Sequence, residues 1–457
     1  MTGRRPSSRN SLNVTAPRAV SSSPELRAAD ILPRMKVSRL PLRFFLVALI
    51  CLTLTIQFQV GAAQQAQRDA NGNPIRTATR TGHVSNYDEA KVPPYTLPEL
   101  LVAANGTRIQ SADQWMKIRR PELLKLYETE IYGKVPANAP KVVWEDSGVT
   151  GSGTGVFVQK RVVGKVGNAA DSPRINVTIT TPAGAKGPVP IVLSVNFGGG
   201  AGGRGPISSG EPIPDIIARG WAHASVGYAD IQPDSTAFTQ GVIGQTLAAG
   251  QTAPAPDEWG TISAWAWGIS RIIDYFETDK AIDARQVAIM GHSRLGKTVL
   301  WAGAQDPRVA VVFSSCAGEM GSSLARRDWG ETVDDMAQNF AWQFAGNFQK
   351  WPGKWNDMPV DAHMLIALNA PHPVFITGGT TDQWADPKGE FLAAVAAGPV
   401  YRLLGKKDLG ITELPALDTP VITGDLGWHY HTGGHSATPA DWKAFLDFAS
   451  KYLKARN

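Results

Sequence analysis

Cysteine is almost missing from this chain: Cys51 and Cys316 are the only two in 457 residues, and Cys51 falls inside an apolar leader. Once that leader is removed no internal disulfide can form, so a disulfide-stapled scaffold is excluded and stability must come from packing. Cys316 then reads as a small buried hydrophobe rather than a reactive thiol. No H-E-x-x-H or comparable ligand spacing accompanies the histidines, so a metal site is only the weaker reading of them. Internal repeats and coiled-coil heptads are absent as well. An excess of one charge is also lacking beyond the N-terminal region. Residues 1–63 hold nine Lys/Arg against Glu25 and Asp30, which leaves 36 basic and 38 acidic residues for the rest. A folded part without a basic stripe excludes a nucleic-acid partner.

What is present begins with that leader. Residues 44–57, FFLVALICLTLTIQ, follow Lys36, Arg39 and Arg43 and precede the small residues Val60-Gly61-Ala62-Ala63. A basic stretch, an apolar stretch and a small-residue cleavage site make a secretory signal peptide. The run is shorter than the about 20 residues of a bilayer span, although an uncleaved N-terminal anchor is the alternative reading. Met35 opens a signal peptide of ordinary length by itself, so residues 1–34 read as an upstream start or a disordered leader. The expected organisation is a leader and signal peptide over 1–63, a flexible polar lead-in over 64–95 and one catalytic domain over 96–457. The expected location is secreted or periplasmic, with no membrane attachment after cleavage and a monomeric state.

Downstream, the pattern of elements is regular. Trp115, Ile118, Leu123, Leu124 and Tyr127 have helical spacing between Ser111 as N-cap and Gly133 as stop. β-rich stretches follow at 155–163 and 174–181, then the apolar strand Val189–Val195. After it come GGGAGGRG, a helix-like PIPDIIARGW, a strand at Ala222–Tyr228 and a long Gly/Pro/Thr-rich loop to Asp257. A Trp-rich helix from Thr261 to Phe276 leads to the strand Val287–Met290. Strands alternating with helices imply a mostly parallel sheet covered on both faces, an α/β fold in three layers.

One junction carries chemistry. Strand QVAIM runs into G291-H292-S293-R294-L295-G296-K297 and then the helix-like TVLWAGAQ. A serine at a sharp strand-to-helix turn between small neighbours is the context of a nucleophile elbow in an α/β-hydrolase. The usual glycine of the fifth position is here Leu295, with Gly296 one place later, so a plain Gly/Ser turn before a helix is the competing reading. The base for Ser293 is expected late in the chain. Among His429, His431 and His435, the last follows two glycines that let a loop present an imidazole, whereas the first two alternate around Tyr430 as packing residues. The acid is less determinate. Strand PVFIT ends in GGTTDQWADPKGE, which puts Asp382 at the sheet edge, where it would hold the His435 tautomer. Asp386, in an Asp-Pro turn, and Glu319, after strand VAVVFSS, compete with it.

Together these residues resemble the glucuronoyl esterases of carbohydrate esterase family 15, in particular their bacterial members, over roughly Leu97 to Leu453. GHSRLGK is similar to that family's nucleophile motif, and S-L-A-R-R-x-W-G-E-T at 323–332, D-Q-W-A-D-P at 382–387 and the final G-G-H are similar to its other blocks. The resemblance implies hydrolysis, without metal or cofactor, of 4-O-methyl-glucuronic acid esters that join glucuronoxylan to lignin alcohols. It implies Ser293 as nucleophile, His435 as base, Arg294 as oxyanion stabiliser, and Lys297, Glu331 and Trp384 as contacts to the uronosyl ring. Lys297 and Glu331 could instead be a surface ion pair. Two departures stand out. Cys316 occupies the place where many members carry a catalytic Glu, so the acid falls to Asp382 as in other members, with Glu319 in reserve. The loop FGGGAGGRG after Asn196 is richer in glycine than the family's. An esterase acting on acetylated xylan and a non-catalytic carbohydrate-binding relative are the rival readings.

Overall fold

The computed structural model describes residues 67–153, 155–168, 172–198 and 210–455. The expected signal peptide, and most of the glycine-rich loop after Asn196, lie outside the described residues. Among those described, the strands are β1 (Val142–Gly153), β2 (Phe157–Val166), β3 (Arg174–Pro182), β4 (Val189–Asn196), β5 (Ala222–Gly227), β6 (Ile282–His292), β7 (Val309–Ser315), β8 (Val374–Gly379) and β9 (Leu426–His431). They form one sheet in the order β1-β2-β3-β5-β4-β6-β7-β8-β9. Pairing is antiparallel from β1 to β5 and parallel from β5 through β9.

The parallel strands are apolar on both faces because both faces are covered. Ile191, Leu193, Ile289, Val312, Val374 and Ile376 pack into one core, with residues of α1 (Thr261–Thr278), α2 (Arg294–Gln305) and α3 (Pro387–Leu403). Their alternates Val192, Ala288, Met290, Val311, Phe313 and Phe375 pack into a second core, against Ile216 of a short helix and Trp442, Phe445 and Phe448 of α4 (Pro439–Ala449). The two-residue period of a strand thus sorts the side chains into two cores, giving the expected three layers. No helix among the described residues is long and apolar enough to cross a membrane.

The structure departs from the expected elements in three places. Edge strand β1 was not legible, since VVWEDSGV mixes charge and glycine on a strand paired on one side only. The helix after Ser111 continues through Ile131 but widens into π-type turns at Trp115–Arg119 and Tyr127–Ile131. The segment read as a flexible lead-in is described from residue 67 and is hydrogen-bonded to later parts of the chain. Residues 67–91 are irregular, as their Gly/Asn/Thr content suggests, yet they are fastened down. Thr79 donates from N and Oγ1 to Gln338 Oε1 at 2.7 and 2.8 Å, and Glu89 pairs with Arg327 at 2.8 Å.

Candidate active site

Strand β6 delivers Ser293 to the sheet's C-terminal edge, and α2 starts at the next residue. Ser293 has φ 60° and ψ −128°, a conformation that costs about 1–3 kcal/mol for a non-glycine residue and persists only where its surroundings enforce it. A side chain at Gly291 would meet the Leu295 carbonyl oxygen at 2.1 Å, so the strand end can fold back only with glycine there. The shifted glycine has a similar cause. A Cβ on Gly296 would lie 3.0–3.1 Å from Ala317 Cβ, Ser314 Oγ and Ser315 O at the end of β7, whereas Leu295 is buried in the core. The position that must be small in this chain is therefore 296.

Asp382 lies in the turn after β8 and His435 in the loop between β9 and α4. His435 Nδ1 and Asp382 Oδ2 are 2.7 Å apart, with Asp382 buried and the imidazole partly open. The two loops are sewn together: Thr380 N and Thr381 N donate to His431 O and Gly433 O at 3.0 and 2.8 Å, and Gly433 N donates to Thr380 Oγ1 at 3.1 Å. Such closeness requires Gly379, whose Cβ would meet Gly434 O at 2.4 Å.

The competing acids are placed elsewhere. Asp386 caps α3 through Gly389 N and pairs with Arg327 Nε at 2.9 Å, so it is turn chemistry. Glu319 is buried with Oε1 unpartnered among the described residues. Burial, with Asp361 and Glu331 nearby, raises its carboxyl well above the usual range, and a neutral acid cannot stabilise an imidazolium. Cys316 follows β7 with its Sγ, an Asp382 oxygen and a His435 nitrogen all within 4.8 Å of one another. Among the described residues these three are grouped closely enough to offer ligand atoms to one metal ion. Burial and then the Asp382 charge push the thiol well up, so it stays neutral beside the carboxylate.

Ser293, Arg294, Lys297, Cys316, Glu331, Phe340, Gln343, Trp384 and His435 line one cavity of about 150 Å³. Arg294 reaches it from the first turn of α2, ion-paired with Asp234 and lying 5.1 Å over the Phe340 ring. Lys297 is only 4% exposed, and no hydrogen bond or ion pair of its ammonium is found among the described residues. Burial pulls its pKa down, partly opposed by Glu331. Glu331 is itself buried, and its Oε1 accepts the Trp384 indole N–H at 2.9 Å. Lys297 and Glu331 are thus neither at the surface nor within ion-pair distance. Gly330, at φ 63°, lets the two segments close, since a Cβ would meet Gln383 O and Trp384 O at 2.6 Å. Behind Trp384, the Arg76 guanidinium stacks 4.6 Å from the ring.

Two neighbours were not singled out from the sequence. Asp234 holds Arg294 and also accepts Trp342 Nε1 and Gln343 Nε2 at 2.7 and 2.9 Å. Only its place in the long loop after β5 could have hinted at it. His292, just before the serine, has its ring 4.5 Å from that of His435 and its Nδ1 3.1 Å from Ser315 Oγ. Burial, then His435, brings its pKa down to about 3, so His435 has an uncharged ring beside it.

Comparisons with known proteins agree on one family. Residues 165–405 match the model of a family described as glucuronyl esterase, fungi. A relative named carbohydrate esterase MZ0003, from an unknown prokaryotic organism, is 39% identical over 398 residues, covering 80% of this chain and 92% of that protein. A 4-O-methyl-glucuronoyl methylesterase of Phanerochaete carnosa is 28% identical over 68% of this chain and 73% of its own length. The solved glucuronoyl esterase from Solibacter usitatus superposes with a TM-score of 0.75 at 38% identity, over 79% of this chain and 99% of its own.

Proposed function

The chain belongs to the glucuronoyl esterases of carbohydrate esterase family 15 and is a carboxylic ester hydrolase, and on that premise we propose how its residues divide the work. Ser293 Oγ attacks the ester carbonyl of a glucuronic or 4-O-methyl-glucuronic acid residue while His435 Nε2 removes its proton. Asp382 holds Nδ1–H of His435, fixing the tautomer and stabilising the imidazolium. The tetrahedral oxyanion forms beside the Arg294 guanidinium at the start of α2, where a fixed positive charge costs no reorganisation as negative charge develops. His435 then protonates the departing alcohol, leaving an acyl-enzyme that a water, activated by the same imidazole, cleaves to free uronate and Ser293.

The observation that carries the substrate reading is Lys297, a buried ammonium without a direct partner among the described residues, opening into the cavity of Ser293 and His435. A buried cation is costly unless something fills its donor capacity. Ring hydroxyls of a uronosyl residue would take its N–H groups, with Glu331 accepting from a further hydroxyl and Trp384 offering a flat apolar face. On the family resemblance, the uronate is taken to be borne on glucuronoxylan and the alcohol to be lignin-derived. We further propose that the protein acts as a monomer outside the cytoplasm; the basic, apolar and small-residue layout of 36–63 supports its export. The test compares rates on benzyl or methyl glucuronate with those on acetylated xylan. Preference for the uronate ester supports the reading, and preference for the acetyl ester overturns it.

A further inference from the structure

His431 ends β9 four residues before His435, and it is almost fully buried. Its Nδ1 lies 3.1 Å from Asp441 Oδ1 and 3.0 Å from Oδ2, and its Nε2 lies 3.2 Å from Gly434 O. Carboxylate and carbonyl oxygens only accept, so both ring nitrogens must carry protons for both contacts to be hydrogen bonds. His431 is then an imidazolium. The same Asp441 carboxylate accepts Thr438 N and Oγ1 at 2.7 and 2.8 Å, and His429 Nδ1 at 2.7 Å. One carboxylate therefore joins the end of β9 to the start of α4 across the base of the loop that carries His435. From inside, the His431 ring holds the carbonyl of the residue immediately before His435.

We propose that His431, as an imidazolium clamped between Asp441 and Gly434, is the positioning residue of the His435 loop, and that loss of its proton sets the alkaline limit of ester hydrolysis. A neutral ring has one N–H and must release either Asp441 or Gly434. The charged groups around it favour the cation. Asp441 faces it from α4, Asp382 from the turn after β8 and Asp418 from the loop before β9, while the His429 ring lies 6.4 Å away on its own strand and the uncharged His292 stands at the end of β6. Burial alone would lower its pKa, yet the carboxylate contact raises it above 6.5, and Asp441 is brought down to about 2. The stabilising contact is present below the raised pKa and lost as pH passes through it.

This inference rests on His435 being the base. The experiment measures pH profiles of kcat and KM on methyl glucuronate for wild type, His431→Gln and His435→Ala, together with ¹⁵N shifts of the His431 ring in the wild-type protein. Glutamine retains a donor and an acceptor but cannot titrate. We expect the wild-type kcat to fall on the alkaline side. His431→Gln should lower kcat by about ten- to hundredfold, the scale of a misplaced catalytic group, with KM within about twofold and the alkaline limb gone. An alkaline limb that survives in His431→Gln overturns the proposal. If that variant does not fold, the ring shifts decide: two protonated nitrogens at pH 7, titrating together with the alkaline limb, support it, and one bare nitrogen at pH 7 overturns it. Near wild-type activity in His435→Ala removes the His435 assignment, and the positioning role with it.

Discussion

Asp234, in the loop after β5, holds the guanidinium of Arg294 at the first turn of α2, and its other oxygen accepts Trp342 and Gln343. The carboxylate thereby fixes a cation beside Ser293 and ties down one wall of the cavity. Asp234→Asn keeps the shape but removes the charge that anchors Arg294. It should lower kcat by about ten- to hundredfold with a smaller change in KM, because an oxyanion donor acts mainly in the transition state. Steady-state kinetics on methyl glucuronate check this. An increase confined to KM would show that Arg294 anchors the ground state.

Asp382→Asn should leave folding intact and reduce kcat by about 10⁴-fold, the scale found when the acid of such a triad becomes an amide. Glu319→Gln should be mild, because burial already pushes that carboxyl well above the usual range towards its neutral form, which the amide resembles. Parallel turnover measurements with circular dichroism separate the two. The reverse ranking would move the acid to the loop after β7.

Lys297→Met should trade function for stability. It removes a buried ammonium without a direct partner among the described residues, so the folded state should gain on the order of 0.5–2 kcal/mol and thermal unfolding should shift upward. The KM for the uronate ester should rise, since its hydroxyls lose their donor. Unchanged KM with lower stability would make Lys297 a structural residue.

Glu390 Oε1 accepts Gly318 N and Ser322 Oγ at 2.8 and 2.6 Å, and burial pushes its carboxyl from 4.5 up to about 8. Below 4.5 folded and unfolded states both hold the proton. Between 4.5 and about 8 the unfolded state ionises while the folded state does not, so stability declines over that window and levels above it. Tm measured against pH should therefore fall less steeply in Glu390→Gln than in wild type. Equal slopes would mean that Glu390 ionises freely in the fold.

These outcomes depend on how much of the site is written locally in the chain. Ser293 and the strand-turn-helix around it are a contiguous signal, as are the Gly-Gly pair before His435 and the strand end before Asp382, and the structure brings Asp382 to His435 and gathers Lys297, Glu331 and Trp384 about one cavity. The three layers are legible too, because hydrophobic period alone sorts strand residues between two cores. What was not legible is set by contacts between distant segments. Nothing near Asp234 marks it as the partner of Arg294, and Arg76 looks like any residue of a polar lead-in until it is seen stacked on Trp384. His431 reads as a packing residue because its charge follows from Asp441 and Gly434, which only the folded loop brings to both nitrogens.

The central claim, an ester of glucuronic acid cleaved through Ser293, is tested most directly by following hydrolysis of benzyl glucuronate by wild type and Ser293→Ala at equal folded concentration. Wild type should turn over the ester without added metal. The alanine variant, unable to form the acyl-enzyme, should fall by about 10³-fold or more, to the residual rate left by binding and oxyanion stabilisation. Activity of Ser293→Ala near that of wild type would contradict the account.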